Sequence, residues 1–175
     1  EGLRVYRRGK VAAEVATYVY GAPVISGDGS TVVFPGPAQT GTGLGLFLWR
    51  VGAPTVSRIP LKLDWYDSLA VDSSGSRAFV LSRETIPQVW MVETATGLSR
   101  AVTTSESAVR EFQLSPDGTQ LTYLTSARGV YTVNLADGQV EMVMAATPLL
   151  DNPPYKAAQG GDWFWLSGAG LSRAG

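Results

Sequence analysis

Glu111-Phe-Gln-Leu-Ser-Pro-Asp-Gly-Thr-Gln-Leu-Thr-Tyr-Leu-Thr125 decides the fold. Glu111 to Ser115 alternates polar and apolar residues, as a half-buried strand does. Pro116-Asp117-Gly118 then supplies turn chemistry: proline presets the first central dihedral, the aspartate side chain caps the turn, and glycine accepts a positive φ. Gln120 to Thr125 reads as a second strand. Ser126-Ala-Arg-Gly129 is a short loop into a third, Val130 to Leu135, and Ala136-Asp137-Gly138 signals a hairpin before a fourth, Gln139 to Met144. A lone meander of this kind exposes an apolar face and two edges, so it must pack beside copies of itself.

The copies are present. Ile25-Ser-Gly-Asp-Gly-Ser-Thr-Val-Val-Phe34, Val71-Asp-Ser-Ser-Gly-Ser-Arg-Ala-Phe-Val-Leu-Ser82 and Ala158-Gln-Gly-Gly-Asp-Trp-Phe-Trp-Leu-Ser167 repeat the strand, turn, strand pattern. Gly29, Gly75, Gly118 and Gly160 are separated by 46, 43 and 42 residues, and 44 more run from Gly160 through the two termini to Gly29. Strand three recurs as Leu46 to Arg50, Val89 to Glu93 and Leu3 to Arg7, followed by glycine turns at Gly52, Gly97 and Gly9. A period of about 40 to 50 residues with several strands per unit marks propeller blades. The reading is an all-β propeller of four four-stranded antiparallel blades in a single domain, residues 1–175. Blades are expected at 21–59, 66–102 and 109–144, with a fourth at 156–175 completed by 1–16. Shared between the chain ends, that last blade would close the ring and make the domain monomeric.

Composition narrows the function classes. Charged residues are 17% of the chain, below the roughly 25% of ordinary soluble domains. The net charge is −1 and the basic residues are scattered, so the phosphate-neutralising footprint of a nucleic-acid binder is missing. No stretch approaches the roughly 18 apolar residues of a membrane-spanning helix. The chain opens on Glu1 with neither an initiator methionine nor a signal-peptide pattern, which raises the expectation of a removed export signal or an excised unit. With no cysteine and no histidine, disulfides, thiolate nucleophiles, Ser-His-Asp catalysis and histidine-bound zinc are excluded.

Ser115-Pro-Asp-Gly-Thr119, an apolar strand, and then Gly129-Val-Tyr-Thr-Val-Asn-Leu-Ala-Asp-Gly138 resemble the TolB-type propeller repeat, a relative of the WD repeat. The likeness is most specific from Glu111 to Met144 and recognisable from Val71 to Val102. At Ile25 to Ile59 the proline is missing, and Gly160-Gly161-Asp162 departs from the motif. The resemblance implies a periplasmic or extracellular binding scaffold, or a domain that gates a peptidase, in a family that usually carries six to eight blades.

Propellers place ligands over the central channel, on the face built from loops between strands two and three and from connections between blades. Here those segments are Pro35 to Gly45, Arg83 to Pro87, Ser126 to Gly129, Thr17 to Ala22, Pro60 to Ser68, Thr103 to Val109 and Ala146 to Tyr155. Leu63-Asp-Trp-Tyr-Asp67 sets two carboxylates beside two aromatics, and Asp151-Asn-Pro-Pro-Tyr155 joins a carboxylate and a tyrosine on a stiff backbone. The candidate partner-binding residues are therefore Asp64, Trp65, Tyr66, Asp67, Asp151 and Tyr155, with Tyr18 and Tyr20 added to the rim. Trp65 and Tyr66 would equally plug the space between neighbouring blades. Asp28 and Asp117 have sufficient work in their turns. The serine near Gly168-Ala-Gly-Leu-Ser-Arg-Ala-Gly175 lacks a histidine to activate it, and this segment reads as loop.

The leading expectation is a non-catalytic module that presents a rigid loop face to a protein or peptide partner, with no cofactor and no metal. One alternative is a carboxylate-based hydrolase or lyase of the glycoside type, using Asp64, Asp67 and Asp151 in the two-carboxylate manner. Another is a structural domain of a larger surface protein.

Overall fold

The computed structural model describes residues 2–37, 44–61, 66–82, 85–127, 129–145, 163–167 and 170–174. Among them there are strands and turns and no helix. An N-terminal hairpin pairs β1 (Gly2–Arg7) with β2 (Lys10–Ala16). The first blade is β3 (Val24–Ile25), β4 (Thr31–Pro37), β5 (Leu44–Arg50) and β6 (Ser57–Ile59), paired in that order. The second is β7 (Tyr66–Val71), β8 (Arg77–Ser82), β9 (Val89–Glu93) and β10 (Ser99–Ala101), and the third is β11 (Val109–Leu114), β12 (Gln120–Thr125), β13 (Gly129–Asn134) and β14 (Val140–Ala145). Every ladder is antiparallel, and the first strands β3, β7 and β11 lie beside one another as an inner layer.

Alternation along each strand explains why the blades stack. Val33 of β4 packs with Leu46, Leu48 and Ile59 against Ala78, Val80 and Val92 of the second blade. The opposite face of β4 carries Val32 and Phe34, which pack with Trp49 against Val15 of the N-terminal hairpin. Phe79 and Leu81, one residue out of phase with Ala78 and Val80, turn the other way and join Leu121, Tyr123 and Val133 of the third blade. Phe34, Trp49 and Phe79 are fully buried, and each such side chain contributes about 1.5 to 3 kcal/mol through removal from water.

Two segments differ from the sequence expectation. The connection from Pro35 to Gly45 is shorter at its base, because β4 runs to Pro37 and β5 begins at Leu44, with Pro35 opposite Leu46 and Gly36 opposite Gly45. Proline is tolerated there because β3 is only two residues long, so no inner strand needs the missing N–H. Second, the loop reading of Gly168 to Gly175 fails over β16 (Gly170–Ala174), which pairs with β15 (Trp163–Ser167) in a register that sets Leu166 opposite Leu171. A five-residue strand flanked by glycines has too little alternation to be seen in sequence. Among the described residues the two terminal hairpins form separate two-stranded sheets, with β16 approaching β11, and the ladders are blades of a propeller.

Candidate functional site

The turn that joins the first two strands of each blade is built the same way three times. Gly29, Gly75 and Gly118 have φ of 71°, 72° and 70°, the left-handed region for which glycine is the low-cost residue. In the first blade the Ser26 hydroxyl donates to Asp28 Oδ1 at 2.6 Å, and Asp28 accepts from Ser30 N at 2.9 Å and from the Ser30 hydroxyl at 2.9 Å. The third blade repeats this with Ser115, Asp117 and Thr119 at 2.6, 3.1 and 2.9 Å. These hydrogen bonds, from Ser26 and Ser30 in one case and Ser115 and Thr119 in the other, hold both carboxyls below their ordinary value. Both motif aspartates thus cap turns.

The second blade exchanges the two residue types. Asp72 stands where the other blades have serine, and Ser74 stands where they have aspartate. Asp72 is 3% exposed and accepts from Ser76 N, the Ser76 hydroxyl, Arg77 N and Arg77 Nε, the last at 2.9 Å. Burial acts to raise its carboxyl, but the Arg77 side chain and backbone and the Ser76 hydroxyl outweigh it, and the group ends below its ordinary value. Arg77 Nη2 also donates to Gly118 O at 3.2 Å, and Asp28 N donates to Ser73 O at 2.9 Å. The three turns are therefore bonded to each other across the blades as one rigid end of the molecule.

The opposite end carries the loops, which differ in length and sequence from blade to blade. Its best-defined part joins the second and third blades. Gln88 Nε2 donates to Ser105 O at 2.9 Å, while Gln88 Oε1 accepts from the Thr103 hydroxyl at 2.7 Å and from Ser105 N at 3.2 Å. Thr103, 1% exposed, in turn accepts from Val89 N at 2.9 Å. Val109 N donates to Pro87 O and Ser126 N to Ala108 O, so the connection from 103 to 109 is pinned on both sides.

Among the candidate residues, Tyr18 and Tyr20 are 67% and 60% exposed and flank the half-buried Val19, which packs on the first blade; Tyr20 N donates to Pro35 O at 3.0 Å. Both phenol rings are thus held outward beside the base of the connection from β4 to β5. Tyr66 and Asp67 begin β7, where Tyr66 pairs with Ser82 and the ladder then skips to Leu69 opposite Val80, a bulge at Asp67 and Ser68. Asp64, Trp65, Asp151 and Tyr155 lie outside the described residues. Those residues contain no group of three or more acidic side chains able to hold a metal ion, and no helix long and apolar enough to cross a membrane. Sequence reading passed over Asp72, whose displacement by two places hid it, and Gln88 and Thr103, ordinary polar residues that meet across 15 positions.

No protein-family model matches the chain, and no curated protein sequence does. Solved structures do. TolB from Acinetobacter baumannii aligns with a TM-score of 0.59 at 19% identity, over 79% of this chain and 35% of that one. The putative TolB from Agrobacterium tumefaciens aligns with a TM-score of 0.56 at 16% identity, over 69% of this chain and 47% of its own. A prolyl endopeptidase aligns with a TM-score of 0.60 at 14% identity over 73% of this chain and 22% of its own. The chain thus spans less than half the length of each, and the likeness is one of fold: these are blades of a TolB-type β-propeller.

Proposed function

We propose that this chain is a non-catalytic binding module whose loop end presents a rigid face to a protein or peptide partner outside the cytoplasm. The observation that carries the reading is the division of labour between the ends. The turn end spends its polar groups on internal hydrogen bonds, whereas the loop end holds Tyr18 and Tyr20 exposed on a backbone fixed by packing. Exposed aromatics on a rigid frame are effective anchors because they bury much area and lose few rotamers on binding. Trp65, Tyr66 and Tyr155 extend this set, with Asp64, Asp67 and Asp151 orienting polar or cationic groups of the partner. The extracytoplasmic setting and the protein partner rest on the resemblance to TolB-type repeats.

The test is the Trp65→Ala, Tyr155→Ala double variant, immobilised and exposed to an extract of the source cells. Retention of a discrete protein by the parent chain, lost in the variant at an unchanged Tm, supports the reading. A large fall in Tm instead assigns both residues to packing between blades.

A second reading, a structural unit sealed through an outer edge against a further strand or copy, is favoured by β14. The outer strands β6 and β10 are three residues long, but β14 has six and leaves Val140, Met142, Val143 and Met144 between 45% and 59% exposed. A dimeric mass in solution supports that reading, and a monomeric mass counts against pairing with a second copy.

A further inference from the structure

Three aspartates in this chain precede a glycine: Asp28, Asp117 and Asp137. Glycine has no side chain to keep its nitrogen from the aspartate carboxyl, and attack of that nitrogen on Cγ closes a five-membered succinimide. The nitrogen loses its proton and Cγ its hydroxyl, so one water leaves. Water then adds back to one of the two imide carbonyls. Breaking the bond from Cγ to nitrogen restores aspartate. Breaking the bond from the main-chain carbonyl carbon to nitrogen leaves the backbone running through Cβ and Cγ, an isoaspartate with a free α-carboxylate and an unchanged mass.

The nucleophile is held alike in the three turns, and the carboxyl is not. Gly29 N donates to Ser26 O at 2.8 Å, Gly118 N to Ser115 O at 2.9 Å and Gly138 N to Asn134 O at 2.8 Å. At Asp28 and Asp117 both carboxylate oxygens are engaged. Oδ1 accepts from the Ser26 or Ser115 hydroxyl and from Ser30 N or Thr119 N, and Oδ2 accepts from the Ser30 or Thr119 hydroxyl. Swinging Cγ toward the glycine breaks all three bonds. The same donors, led by the Ser26 and Ser115 hydroxyls, hold both carboxyls below their ordinary value and so thin the neutral acid that sheds water. Asp137, among the described residues, accepts one hydrogen bond, from Gln139 N to Oδ1 at 2.9 Å. It lies in a stretch exposed from Ala136 to Met144, whereas the other two turns are bonded to the second blade through Ser73 O and Arg77 Nη2.

We propose that Asp137–Gly138 is the one of these three bonds that isomerises in the folded chain, and that its conversion loosens β14. The added backbone atom falls inside the turn closed by Gly138 N on Asn134 O and Asn134 N on Gln139 O, directly before the ladder that sets Val133 opposite Val140. The full chain is incubated for weeks at neutral pH, folded and in parallel in guanidinium. Isoaspartate is read at each position by methyl transfer from S-adenosylmethionine with an isoaspartyl methyltransferase, followed by peptide mapping. In the folded chain position 137 is expected to exceed 28 and 117 by about tenfold, the worth of the two further hydrogen bonds, and in guanidinium the three should converge. S115A, which removes a donor from Asp117, should raise the yield at 117 severalfold and leave 137 unchanged; S26A, read at 28, repeats the test in the first blade. D137E, whose longer side chain closes a six-membered ring far more slowly, should lose the signal at 137 and keep amide exchange at 140–144 constant on ageing, while exchange there accelerates in the parent. Equal yields at the three positions of the folded chain, or a higher yield at 28 or 117, overturn the choice of site. Unaltered exchange at 140–144 in a converted parent chain overturns the loosening of β14.

Discussion

The two ends of these blades follow opposite rules. At the turn end, Ser26 with Asp28, Asp72 with Ser74, and Ser115 with Asp117 solve one local problem three times, and the exchange of serine for aspartate in the middle copy leaves the geometry intact. At the loop end, the Gln88 clamp joins the second and third blades, Tyr18 and Tyr20 stand outward beside the first, and the ladder breaks of β7 and β11 differ in register. Repetition therefore marks what the fold needs, and variation marks the end to which the proposed function assigns the partner.

The comparison breaks first at the packing shared by both ends. Phe79→Ala removes a fully buried ring between the second and third blades and should cost about 3 to 5 kcal/mol in denaturant unfolding. A loss under about 1 kcal/mol would mean that the blades do not lean on each other. Next comes Asp72→Ala, which leaves the partly exposed Arg77 and the backbone N–H groups of Ser76 and Arg77 without their acceptor; about 2 kcal/mol is expected. Asp117→Ala, in a fully solvated turn, should cost clearly less, and equal losses would deny that burial distinguishes them.

Acid titration sharpens the same point. Asp28, Asp72 and Asp117 all sit below the ordinary carboxylate value of about 3.9, so their contribution is complete above that pH and is lost as pH falls through the lower folded values. Stability should stay level from neutrality to about pH 4 and then drop, and D72N should blunt that drop. Smaller still is Gln88→Leu, which frees Thr103 and Ser105; about 1 to 2 kcal/mol should go, with faster amide exchange confined to 103–109. Tyr20→Ser should move stability by less than about 0.5 kcal/mol, because the ring is already in water. Under the proposed function, its effect falls on partner binding.

The frame was legible in sequence for a physical reason. Positive φ at Gly29, Gly75 and Gly118 and again at Gly9, Gly52, Gly97 and Gly138 admits almost no other residue, so the turns print themselves on the chain at a fixed period. Strand alternation showed where one face of a strand is less buried than the other, as in β11 and β12, because successive side chains point to opposite faces. The loop end left no such mark: Gln88 and Thr103 are ordinary polar residues until they meet, and the ladder break at Arg110 cannot be read from its neighbours. The strand β16 was illegible for a similar reason, since β15 and β16 take their register from each other rather than from the repeat.

Photo-crosslinking from the two ends tests the division most directly. A photoreactive residue replaces Tyr20 at the loop end in one variant and Asp137, in an exposed turn of the third blade, in another, and each is irradiated in source-cell extract. One discrete protein adduct from position 20 and none from position 137 is the expected result. An adduct from position 137, with position 20 silent, would place recognition on the end whose residues are assigned here to holding the fold.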